Sequence, residues 1–297
     1  MKPRILTIVV TYNGMRWVDR CLGSLQMSNT PTDVFVIDNG SNDGTVEYIA
    51  ENYSEVKLVT TGSNLGFGRA NNIGLSYALE KGYEYVYLLN QDAWIYPETL
   101  GIMMNAMEED RSIGILSPMQ MAACEDRPDP RFEKRCPRRA FRDLNSRWRS
   151  GKVYDVSFVM AAHWMISREC LQNIGGFSPA FTHYGEDDNF IHRAIYKGFR
   201  IGIHSGARAI HDRELRPLSK EASMKLKCVA SVVKISNPLN RLWFRQIFQP
   251  IELLAISIRY GSGYVFRYIF TLIRSYRQLR AWRTESLDDG AFLKSAE

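Results

Sequence analysis

Four short apolar runs alternate with helical patterns near the start of the chain, and this alternation restricts the fold more than any other feature. The runs are Ile5 to Val10, Val34 to Ile37, Val56 to Thr60 and Tyr85 to Leu89, each rich in β-branched or aromatic residues. Between them, Val18, Cys21, Leu22 and Leu25, then Val46, Ile49 and Ala50, then Ala70, Ile73, Gly74, Tyr77 and Ala78 recur at helical spacing. Strand, helix and strand in this order form βαβ units with right-handed crossovers. The strands lack the alternation of a half-exposed sheet, so both faces should be covered. The expectation is an α/β, Rossmann-like fold with a mostly parallel central sheet flanked by helices.

Three of these strands end in polar residues: Thr11-Tyr12-Asn13, Asp38, and Asn90-Gln91-Asp92. In open α/β sheets ligands bind beyond the carboxyl ends of the strands. Asp92, which follows the greasy run Tyr85-Val86-Tyr87-Leu88-Leu89, is therefore either a solvated turn residue or a ligand- or metal-facing carboxylate. The turn Asn39 to Gly44 and the polar stretch Gly62 to Gly68 lie close to the same strand ends in sequence.

Beyond Asp92 the pattern continues less regularly. Pro97 opens a helix with Leu100, Met103, Met104 and Met107 inside, and Ile113 to Leu116 reads as a strand. Residues Ala122 to Arg149 show no period and read as a long loop or flap. Val156 to Met160 and Trp164 to Ile166 read as strands, Arg168 to Ile174 as a helix, and Gly175-Gly176-Phe177 as a turn. Glu186, Asp187 and Asp188 then open an amphipathic helix carrying Phe190, Ile191, Ala194 and Ile195. Acids are favoured at a helix N-terminus by the dipole, but three in a row after an aromatic-glycine turn exceed what capping needs. Phe199 to Ile203 and Ala207 to Ile210 are further strands, the second ending in His211-Asp212.

The formal net charge of +6 is unevenly spread. Between Lys234 and Arg283 there are nine basic residues and one acid, Glu252, so the basicity belongs to the C-terminal region. There Val265, Ile269, Leu272, Tyr276 and Leu279 mark one helical face, and Leu242 to Ile258 is a second apolar segment. Such helices suit an anionic membrane surface, or packing on the main domain or on a second subunit as in a homodimer. No nucleic-acid recognition motif accompanies the basic residues, so no nucleic-acid partner is expected. Five cysteines without a C-x-x-C pair point to free thiols in a reducing compartment. Neither a signal-peptide pattern nor a transmembrane run is present, so a cytoplasmic location is expected.

The order of motifs resembles an inverting, family 2 glycosyltransferase of the GT-A fold, in its rhamnosyltransferase-like branch. The matching segments are Val9-Val10-Thr11-Tyr12-Asn13, Ile37 to Thr45, Asn64-Leu65-Gly66-Phe67-Gly68-Arg69-Ala70-Asn71-Asn72, Leu88-Leu89-Asn90-Gln91-Asp92, Gly175-Gly176-Phe177 and Tyr184-Gly185-Glu186-Asp187. The resemblance covers about residues 4 to 215 and implies a GT-A catalytic domain over 1–218, followed by a basic helical region over 219–297.

The resemblance also implies roles. A nucleotide-sugar donor would meet Thr11, Tyr12, Asn13, Asp38, Asn64, Gly68, Arg69, Asn72, Asn90 and Gln91, with Tyr12 stacking on the base and Asp38 accepting from base or ribose. Asp92, helped by His211, would hold Mg²⁺ or Mn²⁺; Asn90 stands where the family has a first acid. Asp187 would be the base, with Glu186 orienting acceptor or base, and Trp164, Tyr184 and Asp188 on the acceptor side. Trp164 and His163 fit the core equally well. Asn189 stands where the family often has a further acid. The acceptor would be a glycan or lipid-linked sugar in bacterial surface polysaccharide synthesis, reached at the inner face of the cell membrane, and dTDP-rhamnose is the leading donor, with UDP-sugars next. The alternatives are a non-catalytic nucleotide-sugar or glycan-binding relative of the same fold, and a nucleotidyltransferase. For the last, Thr11-Tyr12-Asn13-Gly14 is a poor match to the glycine-rich, arginine-containing loop required.

Overall fold

A computed structural model describes residues 4–135, 151–213 and 219–293. The first half follows the alternation read from the sequence. Strands β1 (Ile5–Thr11), β2 (Thr32–Asp38), β3 (Lys57–Thr60) and β4 (Tyr85–Asn90) are parallel, with helices α1 (Val18–Gln26), α2 (Thr45–Asn52) and α3 (Phe67–Lys81) between them. Thr11 pairs with Asp38, Asp38 with Thr60, and Val10 with Asn90, so the polar strand ends share one edge. Each strand is apolar on both sides because each side has its own core. Leu6, Ile8 and Ile37 pack with Ala70, Leu75 and Ala78 of α3 on one face. Ile5, Val9 and Leu89 pack on the other with Val18, Cys21 and Leu22 of α1.

The sheet continues as a mixed one. β5 (Ala93–Ile95), α4 (Thr99–Glu109), β6 (Ile113–Met121), α5 (Pro130–Arg135), β7 (Val153–Asp155), β8 (His163–Ser167), α6 (Arg168–Ile174), α7 (Glu186–Tyr196) and β9 (Arg200–His211) follow in the chain. The strand order is β3-β2-β1-β4-β8-β6-β9-β5, with β7 also on β9. β8 runs antiparallel to both β4 and β6, so parallel pairing dominates only the first half of the sheet. The antiparallel step arises because β4 passes directly into β5 and α4, and the strand that later fills its free side arrives from the opposite end.

Several local expectations change. Val156 to Met160 forms no strand; β7 lies just before it. The segments at Phe199 to Ile203 and Ala207 to Ile210 are one strand, β9, with a bulge where Pro118 pairs with His204 and Met119 already with Arg208. His204 makes the bulge tenable, since its Nδ1 accepts from the backbone N–H groups of Gly206 and Ala207 at 3.1 and 3.2 Å. Helix α4 starts at Thr99 rather than at Pro97. The stretch read as a loop contains α5, and its residues 136–150 lie outside the described residues.

Helices α8 (Lys220–Ser236), α9 (Leu242–Tyr260), α10 (Gly263–Arg274) and α11 (Tyr276–Glu285) build a separate core from Met224, Cys228, Ile235, Leu253, Val265, Ile269, Leu272 and Leu279. Phe181, from the segment before α7, enters that core. Arg283 ties the helices together by donating to the carbonyls of Ile235, Asn237, Pro238 and Asn240. The chain then returns to the main body. The Ala291 carbonyl accepts from Gly176 N–H at 2.7 Å, and the Gly290 N–H donates to the Gln172 carbonyl at 2.8 Å.

Candidate active site

An acid beside an imidazole and a cluster of three acids both act by charge on one arginine beyond the sheet edge. The first is built by strand pairing. Ala93 of β5 opposes His211 of β9, and the Asp212 N–H donates to the Asp92 carbonyl at 2.8 Å. This register brings the Asp92 carboxylate to 3.5 Å from His211 Nε2. Burial pushes the Asp92 carboxyl up, but the His211 imidazole, a backbone hydrogen bond and the Arg213 charge together leave it below its ordinary value. His211 presents its other nitrogen, Nδ1, to the Arg213 guanidinium at 3.4 Å.

The second group lies at the start of α7. Burial, and then the Glu186 charge, raise the Asp187 carboxyl from 3.8 to about 7. The Ala161 N–H donates to Asp187 Oδ2 at 3.0 Å and opposes the rise. Oδ1 remains for another partner. Glu186 is also raised by burial, and its Oε2 is buried with no hydrogen-bond partner among the described residues. Asp188 is raised for the same reason. The preceding Tyr184 is exposed and adopts φ 68°, a left-handed conformation that is strained for an aromatic residue.

Arg213 joins the two groups. It is an ion-pair partner of buried Asp129 at 3.8 Å, and burial lowers its pKa while the charges of Asp92 and Asp187 both oppose that fall. Neither Arg213 nor Asp129 was marked by sequence reasoning. The available signal was a cation two residues after a strand-end histidine, close to where a diphosphate would need charge.

The donor-side residues divide into exposed groups and scaffold. Tyr12 is 46% exposed, and Gln91 grips its backbone from both sides: Oε1 accepts from Tyr12 N–H at 2.8 Å and Nε2 donates to its carbonyl at 3.2 Å. Gln91 is therefore the clamp that presents the Tyr12 ring. Asn13 accepts from Asn42 N–H through Oδ1, and Arg69 is exposed in the first turn of α3. Asn64 Oδ1 accepts from Asn39 Nδ2 and Gly66 N–H, which fixes the loop ahead of α3. Asn90, half-buried, ends β4 beside these groups, and its N–H donates to the Ala162 carbonyl.

Several residues expected at the ligand surface are instead engaged in the scaffold. Asp38 is buried, and its oxygens accept from Thr11 Oγ1, Ser41 Oγ, Gly40 N–H and Ser41 N–H. A carboxylate has about four acceptor sites, so Asp38 organises the turn and Thr11 with it, and neither offers a free contact. Asn72 is a clasp as well: Oδ1 accepts from Phe177 N–H at 2.7 Å and Nδ2 donates to the Phe177 carbonyl at 3.0 Å. Gly68 serves packing, since a Cβ there would stand 2.8 Å from Phe177 Cβ. Trp164 is fully buried and stacks on Phe177, so it belongs to the core and not to an acceptor surface. His163 is buried too; Tyr87 Oη lies 2.8 Å from its Nδ1 and the Ile210 carbonyl 3.0 Å from its Nε2, and burial lowers its pKa to about 3.

The residues present suit a divalent cation. One carboxylate and one imidazole lie together at Asp92 and His211; the carboxylate oxygen suits Mn²⁺ or Mg²⁺, and the added nitrogen donor suits Mn²⁺ better than Mg²⁺. Among the described residues no group of three such side chains forms a complete cage. Substrate phosphates and water would complete the coordination.

A half-sheet of nucleotide-binding topology, with an acid at the end of β4 and a second acid cluster at α7, defines a glycosyltransferase of the GT-A fold. The chain belongs to glycosyl transferase family 2, whose model matches residues 7–175. A model described as the N-terminal domain of galactosyltransferase matches residues 152–214. Among curated relatives, the N-acetylglucosaminyl-diphospho-decaprenol L-rhamnosyltransferase of Mycobacterium tuberculosis is 30% identical over 121 residues, covering 38% of this chain and only 39% of the relative. The dTDP-rhamnosyl transferase RfbF of Shigella flexneri is 23% identical over 214 residues, covering 71% of this chain and 70% of its own. In three dimensions, S. aureus TarS 1-349 in complex with UDP-GlcNAc has a TM-score of 0.60 at 18% identity, covering 97% of this chain and 89% of that one. The mannosyltransferase PcManGT from Pyrobaculum calidifontis, in complex with GDP-Man and Mn²⁺, has a TM-score of 0.55 at 20% identity, covering 96% and 84%.

Proposed function

We propose that the protein moves a sugar, with rhamnose from dTDP-rhamnose as the leading donor, from a nucleotide diphosphate to a hydroxyl of a glycan or lipid-linked acceptor, with inversion at the anomeric carbon. A lipid-linked acceptor would put the reaction at the cytoplasmic face of a bacterial cell membrane. The observation that carries this reading is the Asp187 carboxyl, raised to about 7 beside Glu186 and held by one oxygen only. A general base works best with a pKa near the operating pH.

In this reading Tyr12 stacks on the base and Arg69 and Arg213 face the phosphates. Asp92 and His211 would hold Mg²⁺ or Mn²⁺, which supplies charge neutralisation to the departing diphosphate. Asp187 Oδ1 takes the proton of the acceptor hydroxyl as that oxygen attacks the anomeric carbon. The anomeric carbon–oxygen bond breaks on the opposite face, and its electron pair leaves with the nucleoside diphosphate. The unpartnered Oε2 of Glu186 accepts from a second hydroxyl of the acceptor and orients it, while Tyr184 offers an exposed ring for the sugar to lie against.

The test is a thermal-shift panel of nucleotide sugars with and without Mn²⁺. Ligands that bind the native state raise the melting temperature by mass action, so dTDP-rhamnose with Mn²⁺ should give the largest shift. No shift with any donor contradicts the proposal. Asn90 in place of an acid favours one second reading, a binding protein without turnover; tight donor binding with no transfer to any acceptor would select it.

A further inference from the structure

Helices α9 and α10 carry exposed apolar residues in addition to those on the side that packs inward. Their inner sides supply Leu253, Val265, Ile269 and Leu272 to the tail core. On the outer side of α9, Trp243, Ile247, Ile251 and Ile258 recur at helical spacings of four, four and seven residues and are 61, 55, 56 and 75% exposed. On α10, Phe266 and Phe270 are 47 and 53% exposed. A helix apolar around most of its circumference needs an apolar surrounding on both sides, and an exposed patch of large side chains marks an interaction surface.

Charge selects the partner. Arg259 and Arg267 are exposed on the same two helices. The one acid between Lys234 and Arg283, Glu252, is paired with Lys234 at 2.6 Å. A two-fold contact with a second copy would bring arginine-rich edges together with no free acid between them, which is unfavourable. An anionic surface with an apolar interior satisfies both features. No helix among the described residues is long and apolar enough to cross a membrane. We propose that the outer face of α9 and α10 lies in the interface of a bilayer of anionic lipids, with the helices parallel to its plane. This deepens the reading of a lipid-linked acceptor and rests on it for its purpose. Phe181, six residues before Asp187, shares the core of the docked helices and so links the acceptor-side segment to the membrane-bound face.

The test is co-sedimentation of the full chain with vesicles of phosphatidylcholine and phosphatidylglycerol in equal parts, and with vesicles of phosphatidylcholine alone. The protein should pellet with the anionic vesicles and far less with the neutral ones. Ile247→Asp with Ile251→Asp should lower the bound fraction about tenfold or more, since burying each isoleucine drives insertion. Arg259→Gln with Arg267→Gln, which leaves the tail core untouched, should weaken binding to anionic vesicles severalfold. Thermal shift with a nucleotide sugar should be the same in all variants, which separates this proposal from the donor reading. No pelleting of the wild type with anionic vesicles, or undiminished pelleting of both variants, overturns the proposal. A dimer in light scattering that the isoleucine variant converts to monomer also overturns it, by assigning the face to a second copy.

Discussion

His211 Nε2 faces Asp92 Oδ1 at 3.5 Å because β5 and β9 pair antiparallel with Ala93 opposite His211. Two residues more than a hundred positions apart are thereby brought side by side, and in the proposed reading they hold the divalent cation. Asp92→Asn should lower transfer by about a hundredfold or more and His211→Ala by about tenfold to a hundredfold, through loss of ion affinity. Calorimetric titration of Mn²⁺ in the presence of a nucleoside diphosphate checks this without reference to activity, and both variants should show weaker binding.

The raised carboxyl of Asp187 fixes two pH dependences. Transfer should rise with pH and level off with an apparent pKa near 7, as the base becomes ionised. Stability runs the other way. The folded state holds this proton more tightly than the unfolded chain does. Its contribution is therefore fully present below about pH 4 and is lost as pH rises through about 7. Asp187→Asn removes the buried charge, so its melting temperature should exceed that of the wild type at about pH 8 and approach it at about pH 4. Scanning calorimetry at the two pH values measures the difference.

Arg193 is a buried cation that has no acid partner among the described residues. Its guanidinium donates to the carbonyls of Ile174 and Gly176, and Nε donates to Asn189 Oδ1 at 3.1 Å. Burial lowers its pKa to about 9. Arg193→Met would strand two buried carbonyls and should cost about 3 kcal/mol of stability, read from urea unfolding.

The C-terminal return is similarly tight. Gly175 has φ +71°, and a Cβ there would stand 1.9 Å from the Ala291 carbonyl oxygen. Gly175→Ala should therefore displace residues 290–293 from the turn after α6 and destabilise the protein by at least about 2 kcal/mol. Hydrogen exchange at the Gly176 amide, which donates to Ala291, should accelerate in that variant.

Much of this arrangement was legible in residue order. The parallel half of the sheet from β1 to β4 follows from continuous apolar runs separated by helical patterns, and the closeness of His211 to Asp92 is what the family resemblance implied. The misreadings share a cause. Asp38 ends a strand, Gln91 follows one and Asn72 lies within α3, and each is engaged by backbone or hydroxyl groups of the chain itself, some of them distant in sequence; nothing in their local sequence separates such a clasp from a ligand contact. Trp164 was ambiguous because an aromatic beside a polar strand end fits either a core or a sugar platform. Arg213 and Asp129 escaped notice because their relation to the acids exists only once β9 is placed. The half-mixed sheet was hidden for the same reason: strand direction beyond β4 depends on long-range pairing that periodicity does not encode.

The central claim is that Asp187 is the base of a sugar transfer and not a residue that holds the donor. Its most direct test is Asp187→Asn, assayed in parallel for transfer and for nucleotide-sugar binding by calorimetry. The predicted result is loss of transfer by about a thousandfold or more with donor affinity within about twofold of wild type. Transfer at the wild-type rate, or loss of donor binding equal to the loss of transfer, would contradict it.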